Sequence, residues 1–445
     1  MAFGLGRADR ILDAAELRSV LARAADTLAE RGGRLLVLIP DGTRSMPLPL
    51  LRGLLDALLA PRLEALDYLV ALGTHRPMGD QALERLLGCP VVGGRAGRSR
   101  VFNHEGTNPD ALALLGIIPA AEIAELTAGR LREDVPVRLN RRVLEYDQLL
   151  VCGPVFPHEV VGFSGGSKYF FPGIAGPEVI NLTHWLGALI GSYGLIGSGY
   201  TPVRAVIDRA AALIDRPKSC LALVVTHDGV AGMYFGTPHE AWQAASALSA
   251  RVHIVYTPRP FRRVLSVMPD MYEDLWTAAK GMYKVEPVVA DGGEVVIYAP
   301  RLTEISHVHG RLLDEIGYHC RDYFLAQWAR FKGYPGSILA HSTHVKGLGS
   351  YDAATGRETP RIQVTLATAI PEDRCRHVNL GYLDPAEVDV DAWKGREQEG
   401  ILVVPRAGEM LYRLRRGQGE ALPAEPDIRA AEHRPAAAGG EGSSL

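Results

Sequence analysis

Paired cysteines are missing from this chain. Its five cysteines (Cys89, Cys152, Cys220, Cys320 and Cys375) stand singly with no CxxC spacing, which argues against a zinc ribbon or a dithiol redox centre and leaves them as reduced thiols. No HExxH motif or dense Cys/His cluster is present to hold a metal by protein alone. Long apolar runs are missing too. No stretch reaches the ~20 apolar residues needed to cross a bilayer, and the first residues, MAFGLGRADR, lack the positive, apolar and small-residue succession of a secretory signal. A cytoplasmic protein with no membrane partner is expected. Positive charge is not in excess, since 48 Lys+Arg against 51 Asp+Glu give a net charge of -3. Without a broad basic face to neutralise phosphates, a nucleic acid partner is not expected.

What the chain does have is apolar residues, 47% of its 445, enough for a large core. At roughly 150 residues per domain the length allows two or three units. Asp13 to Glu30 reads as an amphipathic helix with Leu17, Val20, Leu21, Ala24 and Leu28 on one face, a capping box of Asp13 and Glu16, and a stop at Gly32 and Gly33. A strand (Arg34 to Pro40), a polar DGTRS turn and a helix (Pro47 to Ala60) follow. The pattern recurs at Leu66 to Leu72, which leads into GTHRPMGD and a helix near Gln81 to Leu87, and at Gln148 to Phe156, which leads into a glycine-rich loop. Buried strands alternating with helices predict an α/β fold with mainly parallel sheets. Farther on, CLALVVTHD, VHIVYTP, GGEVVIYAP and GSILAHS read as further buried strands, separated by helices around Glu240 to Ala250 and Asp270 to Tyr283. Two α/β domains are expected, 1–250 and 251–399, with a flexible tail at 425–445 rich in Ala, Gly and Ser.

In open parallel sheets ligands bind beyond the carboxyl ends of the strands. Three strand ends here carry chemistry: Asp41-Gly-Thr-Arg44, then Gly73-Thr-His75-Arg76, then Pro157-His158-Glu159 running into Gly162-Phe-Ser164-Gly165-Gly166-Ser-Lys168. Asp41 alone reads equally well as a helix cap, and His75 alone more readily as a loop histidine; the repetition at three successive ends favours a site. Imidazoles suit a proton taken and returned near neutral pH, and Arg44 suits a carboxylate gripped as a fork, or a salt bridge to Asp41. GFSGGSKYFFPG fails as a P-loop, because Ser167 replaces the glycine before the lysine and Tyr169 replaces the magnesium-binding hydroxyl. Its small residues still admit an anion, and its lysine is free for covalent attachment. His184, in the apolar stretch INLTHWLGALIG, reads as a core histidine or as a single metal ligand beside a cofactor. His307 with His309, and His341 with His344, read as solvated or outer-layer residues, since neither pair lies with carboxylates at metal spacing.

Taken in order, DGTR, GTHRPM, PHEVVGFSGGSKYFFPGI and the histidine of NLTHW resemble the lactate racemase family and its hydroxyacid racemase relatives. The likeness covers most of the chain and is densest from Leu35 to Gly191. It implies a two-domain α/β isomerase with its active site in the cleft between the domains, and a return of residues from about 400–420 to the first domain. It also implies a nickel-pincer nucleotide (nickel pyridinium-3,5-bisthiocarboxylic acid mononucleotide) attached to Lys168, with His184 on the nickel. By the same resemblance His75 and His158 are the acid/base pair and Arg44 meets the substrate carboxylate. Asp41, Ser164, Gly165 and Gly166 fall to the cofactor, while Trp276 and Lys280 of LWTAAKGM fall to the substrate. The implied reaction inverts C2 of a 2-hydroxyacid, lactate-like or a sugar acid such as an aldonate, by proton-coupled hydride transfer to the cofactor through a 2-oxoacid. Cofactor-biosynthesis proteins are implied as partners. Two other readings stay open: a nucleotide-binding or phosphoryl-transfer enzyme using the glycine-rich loop, and a non-catalytic sensor of the cofactor or an acid.

Overall fold

The computed structural model describes residues 1–415. The first helix forms at Ala14–Arg31 and carries the expected capping box, in which the Asp13 carboxylate accepts from the Ala15 and Glu16 amides and the Glu16 side chain accepts from the Asp13 amide. Its buried stripe is the predicted one, extended by Ala25. The strand that follows, Arg34–Ile39, is the centre of an eight-stranded sheet. Across that sheet the order is Phe3–Gly6, Gly229–Gly236, Lys218–Thr226, Gln148–Pro154, Arg34–Ile39, Ala65–Val70, Ser99–Asn103 and Arg95–Ala96. The five from Lys218–Thr226 to Ser99–Asn103 run parallel, and the others join antiparallel.

Both faces of this sheet are covered, which is why its strands read as continuous apolar runs. Leu36, Leu38, Leu69, Leu149 and Val151 enter one core, whereas Leu35, Val37, Ile39, Val70, Leu150 and Cys152 enter the other. The alternation is the period of two of a pleated strand. Helices Ala14–Arg31, Leu48–Leu59 and Asp80–Leu87 cover one face; helices Pro177–Ile190, Pro202–Ala211 and Pro238–His253 cover the other.

A second, wholly parallel sheet has the order Gly381–Tyr382, Gln363–Thr368, Val289–Ala299, Phe261–Val267 and Ile401–Val404. Three expectations are corrected here. GSILAHS lies in helix Gly336–Lys346, not in a strand. Asp270 to Tyr283 holds two short helical turns, Leu275–Ala278 and Lys280–Tyr283, in place of one helix. Ile401–Val404 does not return to the first sheet but pairs with Phe261–Val267 in the second, while Leu411–Leu414 pairs with Ile254–Thr257. The tail at 425–445 lies outside the described residues.

The two halves meet where helix Gly336–Lys346 crosses helix Pro177–Ile190. A Cβ on Gly336 would stand 2.5 Å from the Asn181 carbonyl oxygen, so only glycine permits this approach. The Asn181 side chain then accepts from the Ser337 amide at 3.2 Å and hydroxyl at 2.9 Å. Trp185, Ala188 and Leu189 of the first helix share a core with the second sheet. Among the described residues no helix is long and apolar enough to cross a membrane.

Candidate active site

At the carboxyl end of the central strand, Asp41 turns back into its own loop. One oxygen accepts from the Thr43 amide at 3.1 Å and hydroxyl at 2.7 Å, and the other meets Nδ1 of His75 from the next strand end. Burial opposes ionisation of Asp41, but His75 and Arg44 outweigh it and hold the carboxyl below the usual carboxylate range. A carboxylate at Nδ1 keeps the proton there and leaves Nε2 of His75 with its lone pair. Asp41, expected on the cofactor, is therefore engaged in orienting His75. Arg44 lies deep in the same wall with no carboxylate in ion-pair contact among the described residues; Asp41 and Glu159 act on it only at longer range.

The third strand, Gln148–Pro154, delivers the glycine-rich segment. Its loop is stitched to the strand end by Ser164, whose hydroxyl accepts from the Phe156 amide at 2.9 Å and donates to the Pro154 carbonyl at 3.3 Å. Ser164 and Gly165 line the pocket, but Gly166 does not. A Cβ on Gly166, at φ +61°, would meet Pro238 and Trp242 at 2.9 Å, so the packing of this turn requires glycine there. Beneath the loop the fully buried Arg204 guanidinium donates to the carbonyls of Phe163 and Gly165 and lies 3.9 Å over the Trp242 ring. Lys168 emerges from this braced turn into the pocket. Burial and the neighbouring Arg44 bring its amine down to about 8, so a substantial share is neutral and nucleophilic near physiological pH.

Helix Pro177–Ile190 places His184 beside it. Nδ1 of His184 donates to the Ile180 carbonyl at 2.7 Å, and burial with Lys168 nearby holds the ring neutral, at about 4. Nε2 then carries a fixed lone pair, the arrangement of a metal-ligating imidazole whose other nitrogen is pinned. Facing it from the second half stand His341 and His344, both buried and both in the pocket wall. They are buried and not solvated, which corrects that part of their expected place. Nε2 of His341 donates to the Trp276 carbonyl at 3.2 Å and its ring stacks on the Trp276 indole at 4.1 Å, tying the two together. His309 also packs against Trp276, with ring centroids 4.4 Å apart, whereas His307 is exposed.

Lys280 reaches the pocket from the second helical turn, its ammonium 4.4 Å over the Tyr272 ring. Burial, then Arg44, pulls its amine well below the ordinary lysine value. Lys284, one turn on, donates to the Glu409 carbonyl at 2.8 Å and is brought by burial down to about 7. The cavity, about 130 Å³, is lined from both halves of the molecule and shares Arg44, His75 and Trp276 with an adjoining chamber of about 660 Å³.

Arg44, Lys168 and Lys280 in one small cavity suit an anionic ligand. A cofactor that brings its own metal ligands fits the donor set as well. Among the described residues no three His, Cys, Asp or Glu side chains gather as a metal site. A metal at His184 would need further ligands from a bound group, and Lys168 offers that group a nucleophilic amine. Of the residues read from the sequence, Asp41, Arg44, His75, His158, Ser164, Gly165, Lys168, His184, Trp276 and Lys280 all line this cavity. His341, His344, Tyr283 and Glu159 also line the cavity, and the sequence reading gave none of them a site role. Glu159 was legible as a carboxylate directly after a strand-end histidine.

Residues 9–192 match the model of the lactate racemase N-terminal domain. The lactate racemase of Thermoanaerobacterium thermosaccharolyticum is 24% identical over 290 residues, an alignment that spans 61% of this chain and 61% of that relative. A crystal structure of a Thermotoga maritima protein is similar with a TM-score of 0.84 and 33% identity, covering 92% of this chain and all of that one. The lactate racemase apoprotein of T. thermosaccharolyticum shares the fold at a TM-score of 0.66 and 19% identity, over 89% of this chain and 92% of its own.

Proposed function

Since the chain belongs to the lactate racemase family, we propose that it is an isomerase that inverts C2 of a 2-hydroxyacid with the help of a nickel-pincer nucleotide tethered to Lys168. The observation that carries this reading is the pairing of a depressed Lys168 amine with a His184 whose Nδ1 is pinned and whose Nε2 is left to ligate. When bound, the nucleotide supplies a site that takes the C2 hydrogen as hydride and gives it back, with a 2-oxoacid between. The chain's own residues do the rest.

Arg44 grips the substrate carboxylate as a fork, and the Lys280 ammonium adds charge from the opposite half. Gripped there, the substrate places its hydroxyl between imidazoles from two strand ends. Asp41 keeps the Nδ1 proton of His75 in place, so Nε2 of His75 takes the hydroxyl proton and the resulting imidazolium is stabilised by the same carboxylate. His158 performs the corresponding step for the other enantiomer. Trp276, braced by His341 and His309, closes the wall and excludes water. The substrate is lactate-like or a longer hydroxylated acid.

The test is a panel of 2-hydroxyacids, each deuterated at C2 and incubated in ordinary water with chain co-produced with cofactor-making enzymes. Chiral separation should give the inverted acid with deuterium retained. Inversion with loss of the label would point to proton abstraction from carbon, and no inversion of any acid would remove the reading.

A further inference from the structure

His75 and His158 differ in how their Nδ1 atoms are held. His75 has one partner there, the Asp41 carboxylate. Nδ1 of His158 has two, and they ask for opposite tautomers. The Val160 amide points its N–H at that nitrogen from 3.2 Å, which requires Nδ1 to be an acceptor and puts the ring proton on Nε2. The Glu159 carboxylate stands 3.2 Å from the same nitrogen; a hydrogen bond between them needs Nδ1 as the donor and leaves the lone pair on Nε2. Only the second tautomer can work as an acid/base group at Nε2. A neutral ring protonated at Nε2 has no lone pair there to take a proton, and it would have to become an imidazolate to give one.

We infer that Glu159 is the positioning residue that selects the working tautomer of His158, the counterpart of Asp41 at His75. Its setting agrees with that role. The Glu159 side chain is largely buried, and the buried Tyr283 phenol shares its part of the pocket wall. Burial first, and then Lys168, Arg44, His184 and Lys284, disfavour a positive ring on His158. Glu159 is the negative charge in contact with the imidazole and offsets them when the ring carries its second proton. Through a full cycle the Nδ1 proton stays on His158, pointed at the Glu159 carboxylate, while the Nε2 proton goes to substrate oxygen and returns, so one proton moves and none is created. The tautomer does not depend on the racemase reading; its catalytic consequence rests on it.

The experiment uses the full chain labelled with 15N-histidine, with His158 assigned by the signals lost in His158→Asn. In the cofactor-free wild type Nδ1 of His158 should be pyrrole-like and Nε2 pyridine-like. In Glu159→Ala the two should exchange, as the Val160 N–H captures Nδ1, and racemisation by the loaded protein should fall roughly 100-fold or more. The Glu159→Gln protein, which keeps the size and loses the charge, should show a partial exchange. A pyridine-like Nδ1 in the wild type overturns the inference, whether or not any variant folds. So does an unchanged pattern in Glu159→Ala. An exchange of tautomer in a loaded protein that inverts no acid would leave the positioning role standing and remove the proposed function.

Discussion

The depressed amine of Lys168 has a consequence that needs neither nickel nor substrate. At pH 7.5 an ordinary lysine is neutral in only about one molecule in a thousand. Lys168, held at about 8 by burial and the adjacent Arg44, is neutral in about a quarter, a gain of roughly two hundredfold in reactive amine. Part is given back, because an amine of lower basicity attacks more slowly per neutral molecule and because Lys168 sits in a cleft. A net advantage of roughly tenfold over an exposed lysine is expected from these opposing effects. Competitive carbamylation with cyanate, small enough to enter, followed by peptide mass spectrometry would measure it in the cofactor-free chain, with the exposed Lys332 as reference. The sign with pH is fixed too. Taken as a ratio to Lys332, which cancels the fall of isocyanic acid with pH, labelling of Lys168 should be constant below about pH 8 and should fall above it, as Lys332 goes on gaining neutral amine. Lys168 labelling no faster than Lys332 at pH 7.5, or a ratio that has not fallen by pH 10, would refute the claim that the pocket prepares this amine for attachment.

Three further outcomes follow from particular contacts. Arg44→Lys keeps the charge but loses the fork, so KM for the acid should rise roughly 10- to 100-fold with a smaller change in kcat, read from initial rates. Gly153→Ala should destabilise the first half by about 2 kcal/mol or more, read by denaturant titration, because the new Cβ would stand 1.8 Å from the Tyr169 hydroxyl oxygen. Acid should also destabilise the fold. His104 and His253 are kept neutral by burial down to about 4, whereas the unfolded chain protonates them near 6.5, so in this window the unfolded state binds more protons. Stability is then complete above about pH 6.5 and is lost as pH falls towards about 4, by on the order of 3 kcal/mol for each ring; thermal melts across that range would show it.

The first half was the more legible because its elements announce themselves locally. Asp13 and Glu16 mark a helix start through their own side chains, and the strands Arg34–Ile39, Ala65–Val70 and Gln148–Pro154 are apolar runs of strand length ended by polar loops. The residues proposed for acid/base work and for the cofactor sit at or just beyond those ends, where topology alone sends ligands. The second half hides its logic in tertiary contacts. Ile338, Leu339 and Ala340 form a short apolar run that period alone does not assign to strand or helix. What decides is Gly336 against Asn181, a contact between residues 155 positions apart. His341 and His344 looked polar in sequence because their burial depends on Trp276 and on the crossing of two helices. Ile401–Val404 has no sequence feature that distinguishes one parallel sheet from another; its partner is chosen by the loop that precedes it, where the Gly400 carbonyl accepts from the Arg262 and Arg263 amides. A glycine needed for packing against Trp242, as Gly166 is, looks the same in sequence as one needed for an anion.

The most direct test of the account is the covalent state of one side chain. Chain co-produced with the cofactor-making proteins should carry the mass of the pincer nucleotide on the peptide containing Lys168, together with about one nickel per chain by elemental analysis. Both should vanish in Lys168→Ala, and nickel alone should be weakened in His184→Ala. An unmodified Lys168 and no nickel in wild-type protein that has met the same proteins would contradict the account.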